Sequence, residues 1–186
     1  SARDGLTISK SPYVSSCRWA SKTQLACKSF STKIIATDPT TDLAALEVTQ
    51  EQAQLLNPLI IADIDASNGE KIYCIGAAHA DPLHNPTLRF GSLTQAVPTV
   101  LYEKGEYPLS IILTNAISAP GSSGSACINQ NGEVIGVTQG IFNLIDSLQK
   151  ICIKPESAII PASILNKFLS QVEQQTSEEI CWPKDV

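Results

Sequence analysis

Residues 115–137 read Asn115-Ala116-Ile117-Ser118-Ala119-Pro120-Gly121-Ser122-Ser123-Gly124-Ser125-Ala126-Cys127-Ile128-Asn129-Gln130-Asn131-Gly132-Glu133-Val134-Ile135-Gly136-Val137. The second half decides the fold class. Asn131-Gly132 stands between two short apolar runs, and only residues tolerant of positive φ suit so tight a reversal, so Ala126–Ile128 and the run from Glu133 form a β-hairpin. The first half is a glycine- and serine-rich loop leading straight into that hairpin.

Outward from this hairpin, short runs rich in β-branched residues recur between Pro, Gly, Asn and Asp. They are Lys33–Thr37, Leu43–Val48, Lys71–Gly76, Leu88–Val97, Leu109–Thr114, Glu133–Gln139 and Lys150–Ile153. Runs of this length and punctuation read as strands. No long amphipathic helices alternate with them, so an all-β barrel or sandwich is expected over an α/β fold. One helix is predicted after Pro161, where Ile164, Leu165, Phe168, Leu169 and Val172 recur at helical spacing, giving a helix over 162–172. The polar stretch Glu173–Glu179 is expected to fray into a tail.

At 186 residues the chain fits one domain and can bury a substantial core without a metal or staple. Charged residues at 17% and apolar residues at 43% exclude a disordered tail or coiled coil. The net charge of −5 and the lack of a basic block argue against nucleic acid, whose phosphates would be repelled. No apolar run is long enough to span a membrane, and nothing at the start reads as a signal peptide. The sequence has no methionine and begins at Ser1, as expected of an excised piece or of one with chain upstream. Its six cysteines form no Cys-x-x-Cys pair and there are only two histidines, which argues against zinc and any other metal centre. The even cysteine count leans towards a secreted or periplasmic setting, although buried free thiols fit as well.

Two segments can carry chemistry. A nucleophilic serine needs a tight loop in which glycines admit a substrate carbonyl and successive amides converge on its oxyanion. Gly121–Ser125 has that pattern, with the Gly121 and Ser123 amides as donors; the alternative reading is a flexible Gly/Ser loop. In Asp38-Pro39-Thr40-Thr41-Asp42-Leu43-Ala44, a carboxylate just before an apolar strand can orient a histidine and stabilise its imidazolium. The alternative reading of Asp42 is a turn cap.

Together these residues resemble the trypsin/chymotrypsin-like serine proteases, nearest the HtrA (Deg) type. Thr41-Asp42-Leu43-Ala44 is similar to that branch's triad-aspartate segment, and Ala119-Pro120-Gly121-Ser122-Ser123-Gly124 to its nucleophile loop, which places the nucleophile at Ser123. Val134-Ile135-Gly136-Val137 resembles the strand that follows, and Ala158-Ile159-Ile160-Pro161 the lead into the closing helix. The resemblance implies two packed antiparallel β-barrels, roughly 1–65 and 66–160, in a single protease domain with a C-terminal helix. It implies a serine endopeptidase acting on polypeptides through a Ser-His-Asp mechanism, with no cofactor. Ile117 then lies at the base of the primary specificity pocket, which favours a small or medium apolar P1 side chain. Thr138, Gln139 and Gly140 form the edge that pairs with substrate.

The pattern departs from the family at its base. The histidine should precede Asp42 by roughly forty-five residues in the trypsin type, or fewer in the HtrA branch, yet Ile8–Val14 contains none. His79 and His84 lie between Asp42 and Ser123 and read as surface-loop residues. Two outcomes remain open: strands and a histidine upstream of Ser1, or a catalytically inactive pseudoprotease serving as a binding or scaffolding module. Ser122 stands where trypsin-type enzymes carry the acid that pairs with a freed amino terminus, so that switch is not expected. Ser125 replaces the loop's usual last glycine.

Cys17 and Cys27 are symmetric about a predicted turn at Ser21-Lys22 and so face each other within disulfide reach. The family resemblance places the strands of Cys74 and Cys127 side by side, implying a bridge or a buried thiol contact. That leaves Cys152 and Cys181 to tie the tail to the body.

Overall fold

The computed structural model describes residues 13–19, 25–76, 87–101, 109–146 and 151–181. The chain divides into two compact units, 1–37 with 44–58 and 38–43 with 59–186.

The first unit is built on antiparallel pairs. β1 (Tyr13–Trp19) runs against β2 (Leu25–Ser31) with Cys17 directly opposite Cys27, the register predicted from the hairpin. The turn between them, and any bond between these two cysteines, lie outside the described residues. β3 (Lys33–Asp38) pairs with β4 (Leu43–Glu47), and α1 (Gln50–Ala53) follows. Thr49 caps α1 by accepting from the Gln52 amide, while the Gln52 side chain accepts from the Thr49 amide. Among the described residues this unit shows two ladders, β1 with β2 and β3 with β4.

The second unit is a closed six-stranded barrel. Its strands are β5 (Lys71–Gly76), β6 (Thr87–Leu101), β7 (Leu109–Thr114), β8 (Ala126–Ile128), β9 (Val134–Asp146) and β10 (Ile151–Pro161). Around the ring the order is β10-β7-β6-β5-β8-β9, every neighbour antiparallel. Closure leaves no free edge. The interior is filled by Ile72, Cys74, Leu93, Ile112, Cys127, Ile135 and Ile159. β7 is buried on both faces, since Leu109, Ile111 and Leu113 form a second cluster with Ala158 opposite the barrel interior. That double burial explains why its sequence is an unbroken apolar run.

The Asn131-Gly132 reversal is present, with Gly132 at φ 82° and the Asn129 side chain accepting from the Asn131 and Glu133 amides. Cys74 and Cys127 face each other across β5 and β8 and are bonded. The link from Cys152 to Cys181 falls on side chains outside the described residues.

α2 (Ala162–Cys181) is longer than the predicted 162–172. Leu165, Phe168 and Val172 are buried on its inner face, whereas Leu169 is exposed. Asp65 accepts from the Ser163 amide and so caps the helix from a distant loop. The polar extension to Cys181 consists mainly of Gln and Glu, residues of good helix propensity, so the helix propagates where fraying was expected. No helix among the described residues is long and apolar enough to cross a membrane.

Candidate active site

The loop from Asn115 to Ser125 joins β7 to β8 and is stitched to three strands. At its start, Asn115 and Ser92 exchange bonds: the Asn115 amide donates to the Ser92 carbonyl at 3.2 Å and the Ser92 amide to Asn115 Oδ1 at 2.8 Å. Gly91 permits this approach, because a Cβ there would collide with Asn115 Oδ1 and the Ala116 backbone. Further along, Arg89 Nη1 donates to the Ile117 carbonyl at 3.0 Å, and the Ser118 amide donates to the buried Ser157 Oγ at 2.6 Å. Ser157 in turn donates to Ser118 Oγ at 3.1 Å.

Two left-handed glycines shape the tip, Gly121 at φ 92° and Gly124 at φ 85°, a conformation costly for any other residue. Successive turns bind the Ser122 amide to the Ala119 carbonyl and the Ser125 amide to the Ser122 carbonyl. The Gly124 amide donates to the Thr138 carbonyl and the Thr138 amide to the Ser125 carbonyl, both at 2.8 Å, fixing the loop to β9. Ser123 is thereby lifted into solvent beside Gln139, and its Oγ donates to the Gln139 carbonyl at 2.8 Å. Among the described residues nothing accepts from the Gly121 or Ser123 amide.

Of the residues predicted from sequence, Ser123, Gly121, Thr138 and Gln139 are brought together here. Gly140 continues β9 opposite Ala158, and Ile117 is half-buried with its carbonyl held by Arg89. Asp42 lies in the turn between β3 and β4, exposed, at φ 57°. No described residue donates to its carboxylate. That turn is organised instead by Asp38, which accepts from the Thr40 hydroxyl at 2.6 Å, the Thr40 amide at 2.9 Å and the Thr41 hydroxyl at 2.9 Å. The Thr40 hydroxyl, ahead of the Thr40 amide and Thr41, holds the Asp38 carboxyl below its ordinary range against a modest desolvation. His79 and His84 lie outside the described residues.

Sequence reasoning missed Arg89. The signal was a lone cation between Leu88 and Phe90, whose exposed side chains point away from the barrel while Arg89, opposite Cys74, points inward. No group of three or more His, Cys, Asp or Glu side chains among the described residues could hold a metal.

The fold is similar to that of several solved proteases. The Rv3671c protease from M. tuberculosis in its active form is 21% identical, with a TM-score of 0.62 over 80% of this chain and 62% of its own. The MamO protease domain from Magnetospirillum magneticum is 18% identical, with a TM-score of 0.60 over 87% of this chain and 77% of its own. Deg5 is 22% identical, with a TM-score of 0.57 over 76% of this chain and 60% of its own. At these identities the likeness is one of fold. The chain spans less than two thirds of the Rv3671c active form and of Deg5. No curated protein matches it in sequence. The trypsin-like peptidase domain family matches residues 3–137, a stretch that contains both the Asp42 turn and the Ser123 loop, and the chain belongs to that family.

Proposed function

We propose that the chain is a serine endopeptidase domain that cleaves peptide bonds through an acyl-enzyme on Ser123. One observation carries the reading. Ser123 is exposed at the tip of a tight glycine turn, and the amides of Gly121 and Ser123 in that turn have no acceptor among the described residues. Amides pre-set in this way cost no reorganisation when a tetrahedral intermediate develops its negative oxygen.

In the proposed mechanism the substrate strand pairs along Thr138–Gly140 and its P1 side chain enters towards Ile117. Ser123 Oγ attacks the scissile carbonyl carbon while its proton passes to an imidazole. Collapse of the intermediate expels the amine, which takes that proton. Water then repeats the sequence and releases the acid. Asp42 orients the imidazole. Residues 1–42 contain no histidine, so the mechanism requires one from chain preceding Ser1 or from the segment holding His79 and His84.

A specific observation favours a second reading. The Ser123 hydroxyl spends its proton on the Gln139 carbonyl, which cannot accept it outright, and a serine without a base is a poor nucleophile. On that reading the domain binds extended peptides along β9 without cutting them. A fluorophosphonate probe separates the two. Labelling of the wild-type protein that vanishes in Ser123→Ala supports the endopeptidase. Labelling that persists in Ser123→Ala refutes the assignment of the nucleophile, and no labelling of a full-length wild-type preparation leaves the binding module.

A further inference from the structure

The six-stranded ring has no edge, but β9 and β10 overrun it. β8 pairs with β9 only as far as Val137, and β7 pairs with β10 only from Ser157 onward. Among the described residues, 140–146 of β9 and 151–156 of β10 therefore have a strand on one side alone, each other. The two open edges differ. That of β10 carries Lys154, Pro155 and a bulge between Cys152 and Lys154, all devices by which native sheets refuse a further strand. That of β9 carries none of them. Its run Gly140-Ile141-Phe142-Asn143-Leu144-Ile145-Asp146 pairs without a bulge, has its one charge at the far end, and leaves Ile141 44% exposed.

Register decides which backbone groups face outward. Asn143 stands opposite Pro155, which has no N–H to give, so theirs is a pair of the non-hydrogen-bonded kind. In such a pair each residue's N–H and C=O point away from the partner strand. Those of Asn143, and by alternation those of Ile141 and Ile145, thus point out of the open edge of β9. We propose that two copies of the chain associate through this edge, β9 against β9, antiparallel about a two-fold axis at Asn143. Position 143 then faces itself and Ile141 faces Ile145 of the other copy, so each outward-facing pair exchanges two backbone hydrogen bonds. The side chains are self-complementary in that register. Ile meets Ile, Phe142 meets Leu144, Asn143 meets itself, and no like charges are opposed. This near-palindrome selects a second copy over an unrelated peptide, which could use the same hydrogen bonds but would owe nothing to the order of residues. One strand a side makes a small interface, so the dimer is weak and reversible. The proposal stands apart from the peptidase reading and does not rest on it.

The test follows the whole chain by sedimentation equilibrium from micromolar to millimolar concentration. The mass should rise from 19.9 kDa towards twice that value. Asn143→Lys opposes two like charges at the axis and should weaken association roughly tenfold or more, with the parent's far-UV circular dichroism retained. Should that variant misfold, Ile141→Lys, at an exposed position, takes its place. Register is read separately. Asn143→Cys, oxidised in air, should give a disulfide between the two copies of position 143, whose Cα atoms lie within bonding reach, and non-reducing peptide mapping identifies it. Ile141→Cys, whose two copies are displaced along the strands, should not link to itself. A single-chain mass at every concentration overturns the proposal. So does a dimer that the lysine variant leaves at full strength, or bridging at position 141 instead of 143. Extended peptides that bind this edge of a chain that stays monomeric overturn it too, in favour of a peptide dock.

Discussion

Replacing Cys74 and Cys127 together by alanine should lower the stability of the second unit by about 4 kcal/mol. The bridge joins residues 53 positions apart, and the chain-entropy relation for a loop of that length gives about 14 cal/mol/K, or about 4 kcal/mol at 25 °C. For a chain of this size that corresponds to a fall in melting temperature of roughly 8–16 °C. Urea titration followed by far-UV circular dichroism reads the loss as a drop in midpoint. Either single substitution already breaks the bridge, so each should lose nearly as much as the pair, a strongly non-additive cycle. A double variant within about 1 kcal/mol of the parent, or single losses that sum to the double, would refute the loop-closure account.

Three further outcomes are expected. Asp42→Asn should keep the fold, since asparagine tolerates the left-handed backbone at φ 57°, yet lower peptidase turnover by roughly ten-thousand-fold if Asp42 orients the base; unchanged turnover would reduce Asp42 to a turn residue. Ser157→Ala should destabilise by about 1–3 kcal/mol, because it strands the buried Ser118 amide, and urea unfolding measures it. Asp38 titrates below its unfolded value, near 4, so the turn's contribution should be complete above that pH and fade as the pH drops through the lower folded value. In Asp38→Asn this acid-dependent part of the unfolding curve should be absent.

Much of the second unit was legible because local chemistry and burial agree there. Asn131-Gly132 has one comfortable conformation, and the apolar run Leu109–Thr114 is continuous because β7 is covered on both faces. The ends of elements were less legible. β9 and β10 run on to Asp146 and from Ile151 to Pro161, through polar residues and Pro155, because they pair with each other and with the ring rather than for any propensity of their own. The loop around Ser123 announced itself through glycines whose φ values no other residue readily adopts. Arg89 did not. Alternation alone would send Leu88 and Phe90 inward and Arg89 to solvent, and only the pairing of Arg89 with Cys74 reverses that assignment. Asp42 was legible as a motif, but the sequence could not say what its carboxylate meets.

β8 spans only three residues, and both of its ladders are correspondingly short. A ring is only as slow to breathe as its briefest stave. Because Cys127 stays bonded to Cys74 on β5, the ladder free to part is the one with β9, and amide exchange should begin there, ahead of the long β9–β10 ladder, in an opening well below the free energy of global unfolding. The Ser123 loop is the leader of that same strand, so each such opening momentarily detaches it from Thr138. The lifetime of the assembled loop should thus follow the β8–β9 ladder a few residues downstream of the serine.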